Sequence, residues 1–167
     1  MRATTPYWAD SATHPSYSKL DRDIDVDAVV IGGGITGLTT AYLLLAAGKS
    51  VAVLERSRCA SIDTGHTSAH LTMVTDVRLH DLVGAFGQDH ARAAWDAGAA
   101  AIELIDELST ALAIDCSFQW VDAYLHTCDQ SQKDVALLEK DAEIAAGMGF
   151  DATFVNEGPL APVPRRR

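Results

Sequence analysis

Asp25-Val26-Asp27-Ala28-Val29-Val30-Ile31 runs straight into Gly32-Gly33-Gly34-Ile35-Thr36-Gly37, and an apolar stretch without proline, Leu38 to Ala47, follows. The short run of β-branched residues reads as a strand, the glycines as a turn, and the apolar stretch as a helix that begins near Ile35. Gly48 stands where a helix-ending glycine belongs. Beyond it Val51-Ala52-Val53-Leu54 reads as a second buried strand that stops on a carboxylate, Glu55. Strand, crossover helix and strand make one βαβ unit, so the fold class is α/β with a Rossmann-like parallel sheet.

Each glycine has a physical task if a dinucleotide binds at this turn. Gly32 permits the tight exit from the strand, Gly34 lets the backbone approach a pyrophosphate, and Gly37 lets the helix pack close to the strand. The diphosphate would sit on the free N–H groups and the positive end of the helix. Glu55 follows Gly32 by 23 residues, about the spacing at which an acidic side chain at the second strand's tip accepts hydrogen bonds from ribose hydroxyls. A carboxylate there disfavours a 2′-phosphate, which argues against NADP. The spacing does not separate FAD from NAD, and a glycine turn with no ligand remains the alternative reading of the motif.

The chain has 167 residues, 48% hydrophobic and 22% charged, enough for one ordinary core and neither disordered nor membranous in composition. Its net charge of −10 argues against nucleic acid as a partner, since phosphate backbones call for a basic face. No apolar run reaches 18 residues and the N-terminus lacks a basic-then-apolar pattern, so no membrane partner and a cytoplasmic protein are expected. Cys59, Cys116 and Cys128 show no metal-ligand spacing and read as free thiols. Cys116 and Cys128 could face each other only if residues 117–127 form a hairpin. His66 and His70 are four apart, but no third ligand accompanies them and no metal is expected.

Residues 1–24 read as an irregular leader that lies over the body through Tyr7, Trp8 and Tyr17. After Glu55 comes a long polar loop, Arg56 to His70, rich in Ser, Thr and Gly; placed directly after the strand tip, it would run along a bound cofactor and offer it N–H and hydroxyl groups. Leu79 to Leu112 is helical in pattern with a break at Gly84 to Gly87, and Trp95, Ala99, Ile102, Ile105 and Leu108 form its core-facing stripe. Ser117–Val121, Ala123–Thr127 and Asp151–Val155 read as strands, and Asp129 as the cap of a helix through Gly147. From Gly158 onward no periodicity is left.

Several motifs in this order carry a family likeness: the Tyr7-Trp8 leader, Gly32-Gly33-Gly34-Ile35-Thr36-Gly37-Leu38, Thr64-Gly65-His66-Thr67-Ser68-Ala69, and Val121-Asp122-Ala123-Tyr124-Leu125. Over about residues 7–157 the chain resembles the N-terminal part of flavin-dependent oxidoreductases of the D-amino-acid oxidase and glycine oxidase type. The resemblance implies FAD as cofactor, with its ribose on Glu55, its pyrophosphate on Gly32 to Gly37 and its ring near the Thr64 to His70 loop. The cofactor-binding set is then Gly32, Gly34, Ile35, Thr36, Gly37, Glu55, Arg56, Thr64, Gly65, His66, Thr67 and Ser68. His66 is a candidate for a flavin contact or a covalent tether.

The resemblance also implies hydride transfer to FAD from the C–N bond of a small-molecule amine or amino acid. No catalytic residue is assigned, because the family draws its acids and bases from later segments. The expected organisation is a leader (1–24), the N-terminal part of an FAD-binding domain (25–112), the start of a mixed α+β substrate domain (113–157) and an irregular tail (158–167). By itself the chain is expected not to turn over, and a nucleotide-binding or vestigial module is the alternative.

Overall fold

The computed structural model describes residues 4–11, 13, 15–127, 131–156 and 158. A five-residue helix, α1 (Tyr7–Ser11), precedes strand β1 (Ala28–Ile31), helix α2 (Ile35–Ala46) and strand β2 (Val51–Leu54). The strands are parallel, with Ala28 opposite Val51 and Ile31 opposite Leu54. Their start is clamped by side chains: the Asp27 carboxylate accepts from the Ser50 N–H (2.8 Å) and hydroxyl (2.7 Å), while the Asp27 N–H donates to Ser50 Oγ (2.9 Å). Those bonds, the Ser50 N–H first, hold the Asp27 carboxyl below the usual range.

Helix α2 ends on Gly48, whose φ of +76° is open to glycine at little cost. Its N–H donates to Leu45 O and the Lys49 N–H to Leu44 O, the paired bonds of a Schellman ending. Val30 faces α2, since Val30 Cγ1 lies 3.3 Å from where a Cβ on Gly37 would stand. Alternation along a strand turns Val29 and Ile31 to the other face, and they are 54% and 86% exposed.

The chain divides into two compact units, residues 1–70 and 71–167. The second unit is helical: α3 (Leu79–Phe86), α4 (Gln88–Ala111) and α5 (Gln132–Gly147). The break between α3 and α4 falls on Gly87, at φ +84°, whereas Gly84 lies within α3. Leu79, Ala91, Trp95, Ala145 and Met148 form the core, and Trp95 packs on Phe150 with ring centroids 5.3 Å apart. Ala99, Ile102, Ile105 and Leu108 continue the Trp95 stripe as half-buried residues.

One buried charge ties this unit together. Asp141 of α5 accepts from the His80 N–H (2.9 Å), His80 Nδ1 (2.7 Å) and Arg78 Nε (2.5 Å). The His80 N–H is one of the orphan donors of the first turn of α3, so a carboxylate from another helix caps α3. Burial pushes the Asp141 carboxyl up, but the His80 N–H, the His80 ring and the Arg78 guanidinium together outweigh it and hold it below the ordinary carboxylate range.

Three sequence expectations change. No strand forms among the described residues of Ser117–Val121, Ala123–Thr127 or Asp151–Val155. Alternation there has no apolar layer to meet: Val121 is 75% exposed, Tyr124 and Leu125 are also exposed, and a lone hairpin without a buried face is marginal. Trp120 instead stacks edge-on against Phe118 and donates from Nε1 to Asp106 Oδ2 at 2.8 Å. Second, the cap of α5 is Ser131, whose Oγ accepts from the Asp134 N–H at 3.1 Å. Asp129 lies outside the described residues, as do Cys128 with the Cys116–Cys128 pairing and most of the tail. Third, the leader meets the body through Trp8, whereas Tyr17 is 77% exposed; Tyr7 stacks edge-on against Trp8. Among the described residues no helix is long and apolar enough to cross a membrane.

Candidate cofactor site

The turn between β1 and α2 is built from backbone groups that only glycine can bring this close. Gly32 sits at φ +104°, and its N–H donates to Leu54 O at 2.8 Å, which fastens the turn to the tip of β2. A Cβ on Gly37 would stand 2.1 Å from Gly32 O, so the first turn of α2 can lie against the strand exit only without a side chain there. Gly33 is buried, and a Cβ on it would meet Cys59 Sγ at 2.8 Å. A Cβ on Gly34 would approach Thr64 Oγ1 to 3.3 Å.

Glu55 closes this turn from the second strand. Its Oε2 accepts from the Gly33 N–H at 2.8 Å and its Oε1 from the Ser57 N–H at 2.8 Å. These backbone bonds, Gly33 first, hold the Glu55 carboxyl below the ordinary range against a small opposing effect of burial. The group is therefore an anion at neutral pH. A carboxylate offers about four lone-pair directions, so two engaged oxygens still leave acceptor capacity for hydroxyl donors.

The N-terminus of α2 is the complementary half. Gly34 is its cap residue and supplies no side-chain bond. The Ile35 N–H donates to Thr64 Oγ1 at 3.2 Å, while the N–H groups of Thr36 and Gly37 have no acceptor among the described residues. Unfilled donors at the positive end of a twelve-residue helix form an anion seat. Thr64 can accept from Ile35 and still turn its own proton outward.

The polar loop is folded onto the turn. The Ala60 N–H donates to Gly33 O at 2.9 Å, and Ala60 is held at φ +57°, an uncommon conformation for a residue with a Cβ. Asp63–His66 makes a single 3-10 turn. Within it Gly65 is buried, with Ala60 O only 2.2 Å from where its Cβ would be. His66 is exposed and its Nδ1 lies 2.7 Å from Ile62 O; a carbonyl can only accept, so Nδ1 is the donor. Thr67 O accepts from Trp8 Nε1 at 2.7 Å. Thr67 Oγ1 accepts from the Ala69 N–H and Ser68 Oγ from the His70 N–H, while Arg56 is exposed beside Glu55.

The structure thus joins Gly32, Gly34, Ile35, Gly37, Glu55 and Thr64 in one hydrogen-bonded and packed cluster. Gly65, His66 and Thr67 are linked to it through the 3-10 turn, Arg56 meets Glu55 through its backbone N–H and its charge, and Thr36 and Ser68 make no side-chain bond into it among the described residues. Gly33 and Ala60 belong to the cluster; Gly33 lay inside the expected Gly32 to Gly37 turn without a role of its own, and Ala60 was not singled out. The signal for Gly33 was available in its place as the middle of three consecutive glycines; Ala60 left none. Among the described residues no three His, Cys, Asp or Glu side chains gather as metal ligands.

Residues 27–165 match the family of FAD dependent oxidoreductases. The chain belongs to this family. Over 158 residues it is 32% identical to a Bacillus subtilis (strain 168) protein described as a Rieske 2Fe-2S iron-sulfur protein, YhfW, covering 95% of this chain and 31% of that one. It is 30% identical to the gamma-glutamylputrescine oxidoreductase of Escherichia coli (strain K12), covering 84% of this chain and 32% of the relative. It is 26% identical to an oxidoreductase by description, OrdL of Haemophilus influenzae (strain ATCC 51907 / DSM 11121 / KW20 / Rd), covering 81% and 32%. The chain therefore spans about a third of the length of these curated relatives. No solved structure matches it. The family's cofactor is FAD, and the anion seat, the small-residue turn and the Glu55 carboxylate fit the ADP half of that molecule.

Proposed function

We propose that this chain is the N-terminal, FAD-holding part of an oxidoreductase acting on the C–N bond of a small amine or amino acid. The observation that carries the reading is the pairing of unfilled N–H donors at Thr36 and Gly37 with a charged Glu55 across the same glycine turn. In this reading the α2 N-terminus takes the diphosphate, with Thr64 donating to it. Glu55 accepts from the ribose hydroxyls while it keeps Gly33 in place. Gly65, His66, Thr67 and Ser68 lie along the cofactor, with Arg56 at its rim. Bound FAD supplies a two-electron acceptor for hydride from carbon next to nitrogen.

The amine class is supported by the name of the gamma-glutamylputrescine oxidoreductase. Residues 25–112 would form the N-terminal part of the FAD-binding domain and residues 113–157 the opening of the substrate domain. Exposed aromatic side chains at Trp120 and Tyr124 support a second surface beginning there. Since the α2 N-terminus, Thr64 and Glu55 would hold the ADP half, ADP alone should bind the isolated chain, and FAD at least as tightly. Titration of each, followed by calorimetry and by the flavin visible spectrum, tests this. Saturable binding of both supports the reading, and no binding of either overturns it for this chain.

A further inference from the structure

We infer that Trp8, on the leader, is a positioning residue for the anion seat at the N-terminus of α2; the inference rests on the cofactor reading above only for its functional consequence. The connection is a short relay of hydrogen bonds within residues 1–70. Trp8 Nε1 donates to Thr67 O at 2.7 Å. Thr67 follows directly on the 3-10 turn Asp63–His66, whose Gly65 N–H donates to Ile62 O at 3.0 Å. The first residues of that turn bring Thr64 Oγ1 to 3.2 Å from the Ile35 N–H.

The turn needs an outside hold. A one-turn 3-10 helix has few internal bonds and fixes little by itself, and its entry through Ala60 at φ +57° is a conformation that surroundings must impose. On the glycine side the hold is the Ala60 N–H on Gly33 O. On the other side it is the indole of Trp8. The leader is not packed solid against the loop: a crevice of about 290 Å³ runs between Thr4–Trp8 and Gly65–Thr67. A directed bond from a half-buried indole, which stacks edge-on with Tyr7 at a centroid distance of 4.9 Å, fastens the leader to the loop beside that crevice.

Loss of that bond should let the 3-10 turn open and Thr64 drift from Ile35, without disturbing β1 and β2. The test is hydrogen exchange by NMR on the full chain, with no cofactor added, for the wild type and Trp8→Phe. A single neutral hydrogen bond is worth about a fivefold change in a local opening equilibrium. The Gly65 and Ile35 amides should exchange about that much faster, with Val53 and Trp95 unchanged. Wild-type rates at Gly65 and Ile35 would overturn the proposal.

Faster exchange throughout residues 1–70 would assign Trp8 a general structural role and overturn it equally. Thr64→Val, which removes the acceptor at constant shape, completes a cycle. If Trp8 acts through Thr64, the Ile35 amide exchanges alike in Thr64→Val and in the double variant; additive acceleration contradicts the relay. With FAD added, Trp8→Phe should weaken FAD about fivefold and leave adenosine, which lacks the diphosphate, unaffected. Should the wild type bind neither, the cofactor reading fails while the exchange data still decide the role of Trp8.

Discussion

In residues 71–167 Trp95 is 6% exposed and Leu79, Ala91, Ala145 and Met148 close around the same core. In residues 1–70 Ala41 is the one buried apolar side chain among the described residues, and Ile31 and Val29 stand in solvent. The helical unit is held by apolar contact and one capped carboxylate, although Arg78 Nη2 and Trp95 Nε1 are buried there without a hydrogen-bond partner among the described residues. The βαβ unit is held instead by short backbone and carboxylate bonds at its two ends, Asp27 with Ser50 and Glu55 with Gly33. A region that leaves helix donors unfilled and apolar strand residues uncovered gains stability from what binds to it. The contrast agrees with the proposal that the cofactor is held by the first unit.

The largest expected effect comes from closing the glycine turn. Gly37→Val would force a branched Cβ against the Gly32 carbonyl, and because a backbone atom cannot step aside, we expect a cost of about 3 kcal/mol or more. Chemical denaturation should show loss of the βαβ unit while the near-ultraviolet signal of Trp95 persists. Loss of both signals together would show that the units are not independently stable.

Next in size is the carboxylate at the centre of the helical unit. Asp141→Ala would strand the His80 N–H and the Arg78 guanidinium, for which we expect about 2 kcal/mol, read as a lower melting temperature for the Trp95 signal. An unchanged melt would mean that the apolar core alone carries the unit. The acid response is a smaller form of the same test. The Asp141 carboxyl is held below its ordinary value in the fold, so its contribution is complete above about pH 4 and is lost as the pH falls through the folded value. Asp141→Asn should flatten that acid-side decline, and an identical pH profile would remove Asp141 as its cause.

What could be read from the sequence follows the range of the forces involved. The turn positions of Gly32, Gly37 and Gly48 and the place of Glu55 at the tip of β2 were legible because steric limits on the backbone and the length of a βαβ crossover act over few residues. The stripe from Trp95 to Leu108 was legible because its period is that of a helix. The role of Asp141 was not, since its partner amide lies 61 residues away and nothing local marks an aspartate as a cap for another helix. Residues 117–127 misled for the opposite reason: alternation suggests a strand wherever it occurs, yet a strand also needs a neighbour and a covered face. The α2 N-terminus was expected to offer free donors, but that Thr64 already holds one of them depends on the path of a loop that sequence does not fix.

The central claim is that Glu55 and the α2 N-terminus together hold the ADP half of the cofactor. Calorimetric titration of ADP into the wild-type chain and into Glu55→Ala tests it most directly. A carboxylate that accepts from ribose hydroxyls makes charge-assisted bonds, so Glu55→Ala should weaken ADP on the order of tenfold, with the fold of residues 71–167 unchanged. Equal affinity in the two proteins, or no saturable ADP binding in the wild type, would contradict the account.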